Sequence, residues 1–104
     1  MGEPVRSIRV QIPYHLRVLA SVEGEIQLAV EPPITIAAIL DVLEAAYPVL
    51  RGAIRDSGTQ RRRALIRYYT CQQDVSNQPP TDVLPEAVAD GQEAFLIIGA
   101  LAGG

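Results

Sequence analysis

The sequence predicts an α+β fold, and three observations predict it. Two runs of alternating apolar and polar residues, 8–12 and 25–30, are typical of half-buried strands. One apolar stripe of helical period follows at residues 35–46. Two further segments, 64–70 and 93–98, are apolar and rich in β-formers. The predicted order is therefore two strands, one helix and two more strands.

The first two strands each bury one face, because successive side chains of a strand point to opposite sides. Pro13 ends the first strand, and Glu23-Gly24 is a turn signal before the second. Residues 14–24 are accordingly predicted to be the loop of a hairpin. The side chains predicted to face inward are Ile8, Val10, Ile12, Ile26, Leu28 and Val30.

The helix is predicted from its spacing and its ends. Thr35 is a suitable N-cap, because its hydroxyl can accept a free backbone N–H of the first turn. Pro48 ends the helix near Tyr47, since a residue before proline avoids helical dihedral angles. The apolar stripe consists of Ile36, Ile39, Leu40, Leu43 and Tyr47.

The second half of the chain alternates loops and strands. Residues 51–63 and 72–82 are polar and rich in turn-forming residues, so both are predicted loops. Residues 84–88 favour a short helical turn. The last strand, 93–98, is apolar on both faces, which places it in the centre of the sheet beside the first strand. The prediction is a β-grasp topology, a mixed sheet of four to five strands with one main helix packed across it.

Composition limits the function. The 104 residues fit one domain, predicted at 1–98 with a tail at 99–104. The net charge of −3 argues against nucleic acid and anionic membranes as partners. His15 is the only histidine and Cys71 the only cysteine, which excludes an intrachain disulfide and multi-cysteine zinc sites. No apolar run reaches the roughly 20 residues that span a bilayer, so we expect a soluble, cytoplasmic protein.

Two side-chain groups are candidate sites. Cys71 and His15 would form a nucleophilic pair if the fold joined them, although a free cysteine usually packs as a small hydrophobe. Arg61, Arg62 and Arg63 form the strongest local charge cluster. They are either a solvated loop or a docking patch for an acidic partner. In both cases we expect them to contribute little to folding.

The C-terminal residues suggest a reaction at the terminal carboxylate. Segment 99–104 has small side chains and ends in Gly103-Gly104. Lacking a Cβ, such a tail can lie extended in a narrow channel and approach another protein's catalytic groups. A terminal carboxylate is ionised at neutral pH and can attack the α-phosphate of ATP, which makes an acyl-adenylate open to a sulfur nucleophile. The alternative is a frayed terminus.

Three segments carry a resemblance to a known family. They are the first strand, 8–12, the helix segment Ile34–Leu40 and the ending Leu84–Gly104. Within the ending, Leu84 followed by Asp90-Gly91-Gln92-Glu93 leads into the last strand, and the chain closes on a glycine pair. In these features it resembles the ubiquitin-like sulfur carriers, which include the small subunit of molybdopterin synthase and the sulfur carrier of the thiamine pathway.

The resemblance implies a role as a protein cosubstrate and not as an enzyme. An ATP-dependent E1-like enzyme would adenylate Gly104 and convert it to a thiocarboxylate, which would donate its sulfur inside a synthase large subunit or another sulfur-accepting enzyme. The carrier would bind no cofactor and no metal, ATP being used by the activating enzyme, and its sheet face would dock on the partners. The implied residues are Gly104 for activation, Leu101, Ala102 and Gly103 for channel entry, and Phe95 with Arg61, Arg62 and Arg63 for docking.

Several functions stay open at this stage. Molybdopterin synthesis is the favoured pathway, with thiamine or another sulfur-containing metabolite as the alternative. A ubiquitin-like modifier joined to target lysines through Gly104 would use the same adenylation step. Two hypotheses remain. One is a β-grasp binding module whose terminal glycine pair has no function, and the other is an enzyme that uses Cys71 as its nucleophile.

Overall fold

The computed structural model describes residues 4–99, which form one five-stranded sheet covered by helices. A single turn of 3-10 helix, Pro48–Leu50, follows the main helix. In chain order the elements are β1 (Arg6–Gln11), α1 (Tyr14–Ala20), β2 (Ile26–Val30), α2 (Ile36–Ala46), β3 (Ile66–Thr70), β4 (Gln73–Asp74), α3 (Glu86–Ala89) and β5 (Phe95–Gly99).

The sheet has the strand order β2-β1-β5-β3-β4. β1 and β5 are parallel, with Val10 opposite Phe95 and Gln11 opposite Leu96, and all other neighbouring strands are antiparallel. β5 is therefore the central strand. The predicted position of the last strand beside the first is confirmed.

The core lies between the sheet and α2. Thr35 caps α2 as predicted, its hydroxyl accepting the N–H of Ala38 at 3.0 Å. Ile36, Leu40 and Leu43 are at most 1% exposed, which confirms the helix stripe. The predicted inner faces of β1 and β2 are buried as well. The most deeply buried large side chains include Ile8, Val10, Val30, Ile39, Leu50, Ile54, Val88, Phe95 and Ile97.

The segment predicted as a hairpin loop contains a helix, α1. The carbonyl of Pro13 accepts the N–H groups of Leu16 and Arg17, each at 3.0 Å, and Ser21 ends the helix in a left-handed conformation with φ 58°. Leu16 is the buried residue of α1. With one buried position there is no apolar stripe in the sequence, which is why periodicity did not predict this helix.

The long polar loop also differs from the prediction. Residue 54 is an isoleucine with no exposed surface, and the next residue, Arg55, is only 5% exposed. Loop 51–65 is therefore anchored in the core and not solvated along its whole length. β4, which was not predicted, pairs with the end of β3 after the left-handed residues Cys71 and Gln72.

Candidate functional site

The end of β5 is the part of the structure from which the predicted reactive tail would continue. Gly99 is paired with Ile66 at the start of β3 and lies beside Pro13 and His15. A Cβ added to Gly99 would stand 2.8 Å from His15 Cε1 and 3.4 Å from Pro13 Cγ. This position is thus closely packed by the start of α1. The predicted tail residues Leu101, Ala102, Gly103 and Gly104 lie outside the described residues.

Next to this point the sheet presents a surface on the side away from α2. The side chains of Leu96 and Ile98 alternate with the buried Phe95 and Ile97, and Ile98 is 43% exposed. Leu96 stands opposite Tyr69 across the β3–β5 pairing, and residues directly opposite share a face. We call Tyr69, Leu96 and Ile98 the outer apolar patch.

An ion pair borders the outer apolar patch on the β3 side. Arg67, opposite Ile98, donates through Nε and a terminal nitrogen to one carboxylate oxygen of Asp74, at 3.0 and 2.7 Å. Hydrogen bonds from Ser76, and then from Arg67, hold the pKa of Asp74 well below its usual range. The pair is therefore charged at neutral pH, and its two members largely neutralise each other.

A second ion pair borders the patch on the β1 side. Arg9 contacts both carboxylate oxygens of Glu25, at 2.9 and 3.1 Å, and Gln11 donates to the same carboxylate at 2.9 Å. These hydrogen bonds lower the pKa of Glu25. Arg9 also donates to the carbonyls of Gly91 and Gln92, which ties the turn before β5 to the sheet. An apolar centre with a polar, paired rim is typical of a protein–protein contact surface.

Phe95 does not belong to this surface. Its side chain is 0% exposed and packs against Tyr68, with ring centroids 5.5 Å apart. The docking role expected of Phe95 is therefore corrected: the residue is in the core, and the side chains of β5 that reach the outer face are Leu96 and Ile98. A strand that is apolar on both faces does not reveal in sequence which set points inward.

The three consecutive arginines differ in their exposure and in their hydrogen-bond partners. Arg62 is half-buried and donates to the carbonyl of Ile66 at 2.7 Å and, more weakly, to that of Ser76 at 3.4 Å. Arg63 donates to the carbonyl of Gly52 at 2.8 Å. Arg61 is exposed. All three were expected to be dispensable for folding; because Arg62 joins two loops through these hydrogen bonds, we expect it to contribute to stability.

The structure does not bring Cys71 and His15 together. His15 lies against Gly99, which pairs with Ile66 at the start of β3, whereas Cys71 follows Thr70 at the other end of that strand. Five residues of strand separate these positions by about 16 Å. Within residues 4–99 no group of three or more His, Cys, Asp or Glu side chains is placed to hold a metal ion.

Solved structures with the same architecture are known. SAMP1 from Haloferax volcanii superposes with a TM-score of 0.73 at 15% identity, covering 94% of this chain and 99% of that one. The small archaeal modifier protein 1 from Methanosarcina acetivorans gives 0.72 at 18% identity, covering 98% and 100%. The fold is the ubiquitin-like β-grasp fold. The fold class predicted from the sequence is confirmed.

A third structure of this fold comes from a complex of two proteins. A chain of the Amycolatopsis orientalis BexX/CysO complex gives a TM-score of 0.70 at 19% identity, covering 92% of this chain and 98% of that one. These neighbours are ubiquitin-like sulfur carriers and modifiers, the group that the sequence resembles. No protein-family model and no curated protein matches the sequence. Within residues 4–99, no helix is long and apolar enough to cross a membrane.

Proposed function

We propose that this β-grasp protein is a sulfur carrier that is activated at Gly104 by an ATP-dependent E1-like enzyme. The thiocarboxylate formed there donates its sulfur to a partner synthase. On the sequence resemblance alone, we assign that synthase to molybdopterin biosynthesis. We propose that the reaction takes place in the cytoplasm, where ATP is available for the activation.

The observation that carries the proposal is the position of β5. It is the central strand, held by β1 on one side and β3 on the other, and it runs directly to Gly99. Five residues remain after Gly99, and fully extended they would reach about 17 Å from the sheet. A rigid domain that ends in a short tail of small residues is suited to deliver a carboxylate into a partner's active site.

The proposed chemistry uses no side chain of this chain. The Gly104 carboxylate attacks the α-phosphate of ATP, and pyrophosphate leaves, which gives an acyl-adenylate. A hydrosulfide donor then attacks the acyl carbon and AMP leaves with both electrons of the broken bond. The contribution of the chain is to bind and to position: the outer apolar patch docks, and the tail, whose glycines lack a Cβ, enters the channel.

The test compares the chain with three tail variants: Gly103→Val, deletion of Gly104 and a tag added after Gly104. Each is incubated with a cognate E1-like enzyme, ATP and sulfide. We expect the unaltered chain to gain the mass difference between sulfur and oxygen, and the variants to stay unchanged while melting at the same temperature. Gly24→Val is the matched control, because a Cβ at Gly24 meets nothing within 4 Å.

Two results would contradict the proposal. One is failure of the unaltered chain to be adenylated by the E1-like enzymes of its own cell. The other is full thiocarboxylate formation by the tagged variant without removal of the tag, since the chemistry requires a free carboxylate at Gly104.

A second candidate function is protein modification, and the likeness to small archaeal modifier protein 1 favours it. In this function the adenylated Gly104 is joined to lysines of target proteins. The chain contains no lysine, so a second copy could not be joined to it through a lysine side chain. Mass spectrometry of cell lysates distinguishes the two functions, because only modification leaves C-terminal residues of this chain joined to target lysines by an isopeptide bond; the last tryptic site of the chain is Arg67, so the diagnostic branch after trypsin is the segment 68–104.

A further inference from the structure

A cleft of about 640 Å³ lies on a different part of the molecule from the outer apolar patch. Its two walls are the loops that follow α2 and β4, through Thr59–Arg62 and Ser76–Gln78. Its floor is formed by Ile36 and Leu40 of α2 and by Tyr68 of β3. We call it the loop cleft. Small-molecule sites usually have volumes of roughly 300–1,000 Å³, so the loop cleft is of that size.

The walls of the loop cleft are held in place by hydrogen bonds. The side chain of Asp56 accepts the N–H groups of Gly58 and Thr59 at 2.9 and 2.7 Å, which lowers the pKa of Asp56 and fixes the first loop. Arg62 reaches from this loop to Asn77 Oδ1 at 3.3 Å and to the carbonyl of Ser76. Because the two walls are tied to each other, the cleft exists before any ligand arrives.

The charges around the loop cleft leave two cations, Arg61 and Arg62, without a carboxylate counterion among the described residues. Three guanidinium groups line it, and its lining contains no carboxylate. Arg55 is compensated from behind by Glu44 at 3.0 Å and Asp41 at 2.7 Å. Arg62 is occupied with carbonyl and amide oxygens. Arg61 is exposed, and within residues 4–99 its guanidinium has no hydrogen-bond acceptor; only its backbone N–H donates, to Thr59 Oγ1 at 3.3 Å.

The floor adds a hydroxyl group that is open to the cleft. Tyr68 is 4% exposed, and within residues 4–99 no protein group accepts from its hydroxyl, which nevertheless keeps contact with the cleft. Burial raises the pKa of Tyr68 to about 12, so the group is a neutral O–H donor at neutral pH. A donor that is open to a cleft and has no protein acceptor is satisfied by water or by a ligand.

We propose that the loop cleft binds a small organic anion, whose carboxylate or phosphate group pairs with Arg61 and whose apolar body lies on the floor beside the Tyr68 hydroxyl. The argument rests on three features in one concave, prearranged space: the Arg61 guanidinium without an acceptor, the Tyr68 hydroxyl without a protein acceptor, and the apolar floor. The site is independent of the tail, so the proposal stands or falls separately from sulfur carriage.

The experiment is an NMR titration of the full chain with four probes: phenyl phosphate, benzoate, inorganic phosphate and benzyl alcohol. We expect saturable shifts of the amides of residues 59–62 and 76–78 with the first two probes only. Tighter binding of phenyl phosphate identifies phosphate as the preferred group, and tighter binding of benzoate identifies carboxylate. Arg61→Gln should weaken binding at least about tenfold, as the loss of a charge-assisted hydrogen bond does, and Tyr68→Phe by a smaller factor.

Arg51→Gln is the matched control, because Arg51 is exposed in the same loop but lines a neighbouring cavity instead. It removes the same charge and should leave binding unchanged. An equal loss in Arg51→Gln and Arg61→Gln would overturn the proposal, as would inorganic phosphate binding as tightly as phenyl phosphate. Absence of saturable binding would also overturn it.

Discussion

His15 Cε1 stands 2.8 Å from the position that a Cβ of Gly99 would occupy. The central strand therefore ends at a residue whose missing side chain is replaced by an imidazole ring from α1. Gly99→Ala should push this ring aside. Because His15 is exposed and can turn away, we expect a loss of stability no larger than about 1 kcal/mol.

The control for this prediction is a double-mutant cycle. His15→Ala removes the ring, so Gly99→Ala in that background should cost less than in the unaltered chain. Denaturant unfolding of the four proteins measures the difference. Equal costs in both backgrounds would show that His15 does not determine the packing of Gly99.

Ile98 should matter for docking and not for folding. It is 43% exposed and lies in the outer apolar patch, so Ile98→Glu places a charge in the centre of the proposed interface. We expect at least about a tenfold weaker association with the activating enzyme, equivalent to about 1.4 kcal/mol. Val83→Glu is the control, because Val83 is 68% exposed and lies outside the patch. Similar affinities for both variants, measured by calorimetry, would exclude the patch as the docking surface.

The arginine cluster should divide into one structural residue and one dispensable residue. Arg62→Ser removes the donor that the carbonyl of Ile66 accepts at 2.7 Å and should cost about 1–3 kcal/mol. Arg61→Ser should change the free energy of unfolding by no more than about 0.5 kcal/mol, as exposed substitutions usually do. Urea melts of the two variants test this. Equal free energies of unfolding would show that Arg62, like Arg61, is a solvated loop residue that contributes little to folding.

Arg55 has two acidic partners, and burial rather than distance should decide which of them matters. The contact with Asp41 is the shorter, 2.7 Å against 3.0 Å, but the side chain of Asp41 is 69% exposed and that of Glu44 only 12%. Glu44→Ala leaves a guanidinium that is itself 6% exposed and should cost about 2–4 kcal/mol. Asp41→Ala should cost less than about 1 kcal/mol.

Both substitutions place alanine within α2, so the change in helix propensity favours both variants. Thermal or denaturant melts give the two costs. If Asp41→Ala proved the more damaging change, the shorter contact would be the stronger one despite its exposure.

The protein should lose stability in acid. The pKa values of Asp74, Glu25 and Asp56 are all lowered in the folded state, by hydrogen bonds from Ser76, from Arg9 and from the backbone of Thr59 respectively. A lowered carboxylate pKa stabilises the folded state above the unfolded value, about 4, and this stabilisation is lost as the pH falls through the folded value.

The measurement is the unfolding free energy between pH 7 and pH 2. Asp74→Asn should flatten the acid side of the curve, because the residue no longer takes up a proton on unfolding. Glu31→Gln, at an exposed position after β2, should leave the curve unchanged. A curve for Asp74→Asn that parallels the unaltered chain would contradict the prediction.

The sequence by itself determined the parts of the fold that have one buried face. Alternation in β1 and β2 and the stripe of α2 place apolar residues at the period of the element, so the pattern is readable within a few residues. The central position of the last strand could be predicted because the strand is apolar on both faces, although only the face of Phe95 and Ile97 is buried. The capping role of Thr35 is likewise local.

Only the tertiary structure decided the rest. α1 buries one residue, Leu16, and has no periodic signal. Partners distant in sequence determine three further features: the outward direction of Ile98, the structural role of Arg62 and the packing of Gly99. The loop cleft joins two loops through Arg62 and residues that follow it by 14 and 15 positions. Such contacts form when loop closure brings separate segments together. The spacing of residues within one segment therefore does not predict them.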